Sequence, residues 1–115
     1  MKVLFYQTSR GRMPVLDELD DLPKEASAHA YQLLEEIEEK GFDAARVVFR
    51  HIEGKLWEIK MNLPSSGGYR IFYVTIQGDT LLLLHAYAKK SQKAPKHHIE
   101  TALERMGDAM KRGLK

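Results

Sequence analysis

Three stretches of this sequence set cations beside aromatic rings: Leu56-Trp57-Glu58-Ile59-Lys60, Gly68-Tyr69-Arg70-Ile71 and Leu84-His85-Ala86-Tyr87-Ala88-Lys89-Lys90. Along an extended chain alternate side chains share a face, so Leu56, Glu58 and Lys60 fall on one side and Trp57, Ile59 and Met61 on the other. Trp57 is therefore expected in the core rather than as a platform for a base. Arg70 interrupts an otherwise apolar run, and a guanidinium there needs an anion. A phosphate matches its fork of donors; a structural salt bridge to Glu58 or Glu53 would also satisfy it. His85 and Tyr87 are two residues apart and point the same way. The histidine reads either as a satisfied, part-buried residue or as a general acid or base. Lys89, Lys90, Lys93 and Lys96 form either a solvated exit from a strand or a phosphate-binding run, to which Lys55 belongs on the second reading. His97 and His98 supply a proton or decorate a surface.

These residue types suffice, chemically, to cut RNA without a metal. The 2′-hydroxyl must attack its neighbouring phosphate. That takes a base for its proton, a cation for the developing pentacovalent charge and an acid for the leaving 5′-oxygen. Lysine can act as the base when neighbouring positive charge depresses its pKa. There is no cysteine, hence no thiolate zinc site, iron–sulfur cluster, disulfide or cysteine nucleophile. His51, His85 and His97/His98 lack any recognised ligand spacing, and no Walker loop, dinucleotide fingerprint or Ser-His-Asp signature occurs. No metal and no cofactor is expected.

The scaffold for these residues is legible in the chain's periodicity. Lys2 to Gln7 forms a first strand. Pro14 opens a short helix to Leu19, and a second helix runs from Pro23 to about Lys40, its apolar stripe Ala26, Ala30, Leu33, Leu34 and Ile37. Together they are expected as an antiparallel helical pair. From Val47 the period changes to two: Val47–Ile52 and Leu56–Met61 make a hairpin, Leu63 to Gly68 a loop, and Tyr69–Ile76 a strand. Gln77-Gly78-Asp79 is a tight turn, and Thr80–Ala88, apolar on both faces, is a central strand. Pro95 precedes a last helix with the stripe Ile99, Ala102, Leu103, Met106 and Met110. The class is α+β: an antiparallel twisted sheet with its helices, the N-terminal pair and the C-terminal one, packed on one side. Residues 1–115 are expected to be a single domain.

Charge is strongly segregated although the net value is only +2. Residues 14–43 carry ten acids against two bases, while residues 44–98 carry nine bases against three acids. A polyanion should approach the second region, where each neutralised phosphate releases counterions. No apolar run nears the ~20 residues of a membrane span, and the N-terminus is too short and too soon polar for a secretory signal. A cytoplasmic location is expected.

Gly-Lys-Leu-Trp-Glu-Ile-Lys (54–60), Gly-Tyr-Arg-Ile-Phe-Tyr (68–73) and Leu-Leu-His-Ala-Tyr-Ala-Lys-Lys-Ser-Gln-Lys-Ala-Pro (83–95) resemble the RelE/ParE toxin superfamily, in its phage-derived HigB-type branch, across essentially the whole chain. The resemblance implies a RelE-like fold and the toxin of a type II toxin–antitoxin pair. Such a toxin is neutralised by a helix-turn-helix, HigA-like antitoxin through which the complex binds operator DNA. It further implies an mRNA interferase acting in the ribosomal A site. By motif, Lys60 matches the strand lysine that serves as base, Arg70 the arginine that stabilises phosphate, and Lys90 the basic residue after the last strand. A second lysine of RelE falls on Glu58, a departure from its two-lysine arrangement. The family's late tyrosine falls close to Lys96, leaving His97, His98 or Tyr87 to take its role.

The leading expectation is a metal-independent endoribonuclease. Lys60, Arg70, Lys90, His85 and Tyr87 form its catalytic set, and Lys55, Lys89, Lys93, Lys96 and His97 bind the RNA backbone. The alternatives are a ParE-like inhibitor that binds DNA gyrase, and a degenerate member that serves only as the antitoxin's partner.

Overall fold

A computed structural model of the chain describes residues 1–90 and 95–114. In chain order the elements are β1 (Lys2–Phe5), α1 (Pro14–Asp20), α2 (Lys24–Lys40), a 3-10 turn (Gly41–Asp43), β2 (Val48–Glu53), β3 (Leu56–Leu63), β4 (Gly67–Ile76), β5 (Thr80–Ala88) and α3 (Lys96–Lys111). Pro14 sits in the first turn of α1, where its missing N–H costs nothing. Gly41 ends α2 with a φ of 60°, a conformation open to glycine at little steric cost. Between β4 and β5 the turn runs through Gln77 and Gly78, both at positive φ, the geometry that matches the twist of a tight hairpin.

The strands form one five-stranded sheet in the order β1-β5-β4-β3-β2. Neighbours from β2 to β5 pair antiparallel. β1 departs from the expected antiparallel arrangement: it lies parallel to β5, because the chain leaves β1 and crosses through both N-terminal helices before returning.

Contrary to the expectation from sequence, the helices do not share one side of the sheet. Val15 and Leu19 of α1 and Ala30, Leu33, Leu34 and Ile37 of α2 pack with Ile59, Met61, Ile71, Tyr73, Leu81 and Leu83. Ala102 and Ala109 of α3 pack with Leu56, Phe72, Val74, Leu82 and Leu84, from the alternate face. The cause is legible in β4 and β5, which are apolar on both faces and would expose a row of large side chains if only one were covered.

Two local features decide which side chains each face presents. Phe72 pairs with His85 while Tyr73 pairs with Leu83, so Leu84 is an extra residue in β5, a β-bulge. Strict alternation would carry His85 and Tyr87 to the face of Leu81 and Leu83. The bulge turns them to the α3 face. Secondly, Trp57 is not a core residue: it is 38% exposed, with Phe42 at 53% and Val48 at 57%. These side chains, with Val47, Phe49 and Tyr73, line a cavity of about 620 Å³. The pleat places Trp57 on the α2 side, but α2 stops at Lys40 and leaves the β2 edge open.

Candidate functional site

On the α3 face, cross-strand pairing sets the chemistry-bearing residues in successive rows. One row runs Val48–Lys60–Arg70–Tyr87 across β2, β3, β4 and β5. The row beside it runs Arg50–Glu58–Phe72–His85. Directly opposed residues have Cβ atoms about 5 Å apart, so Lys60, Arg70 and Tyr87 are immediate neighbours. At the open end Gly68 lies opposite Asn62, and its carbonyl accepts a 2.9 Å hydrogen bond from the N–H of Lys89. Gly68 is a matter of space rather than conformation. A Cβ there would stand 3.3 Å from the Cβ of Lys89 and 3.5 Å from Nη1 of Arg70. Without a Cβ, Lys89 and Arg70 close on the Gly68 backbone, with Lys60 on β3 paired opposite Arg70.

Glu58, on the same face in the neighbouring row, has no solvent exposure. Its Oε2 accepts a 3.0 Å hydrogen bond from the Tyr87 hydroxyl. Its Oε1 stands 3.0 Å from Nη2 of Arg50 and 3.8 Å from Nε of Arg70, close ion pairs without a well-directed hydrogen bond. Of the two anions open to Arg70 from sequence, the carboxylate of Glu58 is present. That contact does not consume the guanidinium. Nη1 donates to the Tyr69 carbonyl at 3.1 Å, while Nη2 makes no hydrogen bond among the described residues and is not sealed from water. Two guanidinium groups share one carboxylate, so the cluster keeps an excess of positive charge. Burial and then the charge of Glu58 push the Tyr87 hydroxyl well above its ordinary value, so it stays a phenol at neutral pH.

Above Tyr87 stands a column of rings. Phe72 stacks on Tyr87 at 5.4 Å, Tyr87 on His98 at 4.3 Å, and His97 follows His98 at 4.0 Å between centroids. The column passes from the buried Phe72 to the exposed His97. His85 flanks it, with one nitrogen 2.7 Å from His98 Nδ1 and the other 3.2 Å from Nη1 of Arg105. Burial, then the charge of Arg105, bring His85 down to about 4. Burial and His97 also hold His98 below the ordinary histidine value.

The structure thus gathers Lys60, Arg70, His85, Tyr87, Lys89 and His97 on one face, with Lys90 exposed immediately after Lys89. It does not bring Lys55 there. That lysine lies in the turn before β3, five residues from Lys60 and roughly 16 Å away at about 3.3 Å per strand residue. Lys96 is exposed and sits 3.9 Å from Glu100 one helical turn on. Lys93 lies outside the described residues. Lys60, half-buried, makes no ion pair or hydrogen bond among the described residues. Arg50 and Arg105 were missed by sequence reasoning altogether. Arg50 faced the buried carboxylate from an edge strand, and Arg105 lay one helical turn from the apolar stripe it accompanies; only the pairing of β2 with β3 and the seating of α3 identify them. Among the described residues no three of His, Cys, Asp or Glu converge as metal ligands, and no helix is long and apolar enough to cross a membrane.

A family model described as Phage derived protein Gp49-like (DUF891) matches residues 17–107, a span that contains every side chain of the rows and of the ring column. No curated protein matches the chain.

Proposed function

Because the chain belongs to the phage-derived Gp49-like family, a RelE/HigB-type toxin-like family, we propose that it is the toxin of a toxin–antitoxin pair and cuts mRNA with its own cations. The observation that carries this reading is the row Lys60–Arg70–Tyr87, continued by Lys89 beside Gly68: Lys60 of β3, Arg70 of β4 and Lys89 just past β5 gathered on one face of the sheet. In this reading Lys60 takes the proton of the 2′-hydroxyl. Arg70, steadied from below by Glu58, turns its outward Nη2 toward the developing phosphorane charge. Lys89 and Lys90 hold the flanking backbone, and His98, stacked on Tyr87, faces the leaving oxygen. A site with so few acid–base groups gains from a substrate presented in fixed geometry, which the ribosomal A site would provide. A helix-turn-helix antitoxin would neutralise the toxin in the cytoplasm and carry the complex to operator DNA.

The test is in vitro translation with the purified chain and a chelator, read by primer extension. The expected outcome is discrete cuts in translated message. Lys60→Ala should lower their rate by roughly 100-fold or more with an unchanged urea midpoint, since Lys60 has no ion pair to lose. Intact message would refute the reading, and arrested replication instead would favour the gyrase-directed alternative. One observation favours a second reading, a non-catalytic partner of the antitoxin: Glu58 already neutralises part of the arginine charge. A chain that leaves both message and growth untouched would belong there.

A further inference from the structure

The hydrogen bonds around His85 determine where the protons sit. A guanidinium only donates, so Nη1 of Arg105, 3.2 Å away, obliges His85 Nδ1 to accept. The same Nη1 also donates to the Leu84 carbonyl at 2.9 Å, which pins Arg105 in place. A neutral imidazole that accepts at Nδ1 carries its hydrogen on Nε2, and that nitrogen lies 2.7 Å from Nδ1 of His98. His98 must therefore accept at Nδ1 and carry its own hydrogen on Nε2. This outer nitrogen has no protein partner among the described residues and is not sealed from solvent. Protonating His98 would set two N–H groups head to head across 2.7 Å, and His85 cannot turn over without meeting Arg105.

The charged groups around His98 point the same way. On α3 are His97 beside it and Arg105 beyond His85; on β5 are His85 and the phenolic Tyr87. The carboxylate under Tyr87, Glu58 on β3, is engaged by Tyr87, Arg50 on β2 and Arg70 on β4. His98 also lies in the first turn of α3, at the positive end of the helix dipole. Burial adds to these effects.

We propose that Arg105 and His85 are positioning residues that hold His98 as a neutral imidazole with its Nε2–H left for an external acceptor. His98 then donates a hydrogen bond to the charged oxygens of the RNA phosphate instead of acting as a cationic acid. This rests on the nuclease reading for its substrate, but the locked tautomer does not.

The experiment is long-range proton–nitrogen correlation NMR of the histidine rings in the nitrogen-15-labelled full chain, from pH 8 down to pH 5. Both His85 and His98 should show the Nε2–H tautomer; His85 should remain neutral at pH 5.5, and His98 should titrate below the ordinary histidine value. Arg105→Met should release His98 to a mixed tautomer with a midpoint nearer the ordinary histidine value. His85→Gln, whose amide can still donate to His98 Nδ1, should preserve the tautomer and guards against a folding defect in the arginine variant. An Nδ1–H tautomer at His98, or the same His98 midpoint with and without Arg105, would overturn the lock. For the substrate half, an oligoribonucleotide with 2′-O-methyl groups should move the His98 Nε2 signal, and His98→Ala should slow cleavage by roughly 100-fold. An unmoved signal in a chain that does cleave would overturn that half. If the tautomer is as described and no RNA is cut, the nuclease reading fails while the lock stands.

Discussion

Glu58 is the residue on which the site's arrangement turns. Removing its charge leaves Arg50 and the buried Arg70 facing each other without a counterion, and an amide there has one oxygen to serve both the arginines and Tyr87. The loss of one partner from a buried ion cluster costs far more than the cluster contributes relative to an apolar alternative. Glu58→Gln is therefore expected to lower the stability to urea unfolding by about 2–4 kcal/mol, and to loosen the Tyr87 ring on which His98 rests. The same carboxylate, which the sequence offers both as a departure from a two-lysine pattern and as a salt-bridge partner for Arg70, thus has a structural task. Its burial depends on Arg50, a residue with no motif around it, and nothing in the linear chain couples the two until β2 is registered against β3.

At the scale of elements, much of the architecture was legible because it rests on periodicity. The α2 stripe, the change to period two at Val47 and the tight turn at Gln77-Gly78 each follow from short-range rules. Three things were not legible. Covering both sheet faces requires knowing that α3 chooses the side opposite α1 and α2. Trp57 depends on where α2 ends relative to the sheet edge. The bulge at Leu84 shifts the phase of one strand among four consecutive leucines, where no polar residue marks the slip; yet it decides which face receives His85 and Tyr87. Gly68 offers a test at this scale. Gly68→Ala would place a methyl group 3.3 Å from the Cβ of Lys89, an atom fixed by the backbone. The expected cost is about 1 kcal/mol, with RNA cleavage reduced by more than that loss of stability explains, because the methyl group pushes between Lys89 and Arg70. Cleavage equal to the parent would show that RNA does not depend on how Lys89 and Arg70 are set here.

For the whole molecule, the ionisable groups divide acid denaturation into two windows. The unfolded chain takes a proton on His85 near the ordinary value of 6.5, while the folded chain resists until about 4. Between those values the unfolded state binds more protons, so stability falls as the pH drops through this window, and His85 contributes no further change below it. The partial solvent contact of the ring reduces the effect to on the order of 1–2 kcal/mol, or roughly 5–10 °C in the melting temperature of a domain this size. The surface pairs titrate later. Hydrogen bonds from Arg46 lower Glu36, and those from Tyr6 and Arg112 lower Asp108, so their contributions vanish only in more acidic solution. His85→Gln tests the first window, because it removes that residue's titration and leaves those of His98 and of the surface acids. Its melting temperature is expected to change less than the parent's between pH 7 and pH 5, with the two converging in their further decline below pH 4. Equal slopes in the upper window would mean that His85 is protonated as readily in the folded chain as in the unfolded one. Arg105 would then be facing a cation, and its contact with the ring would have to open.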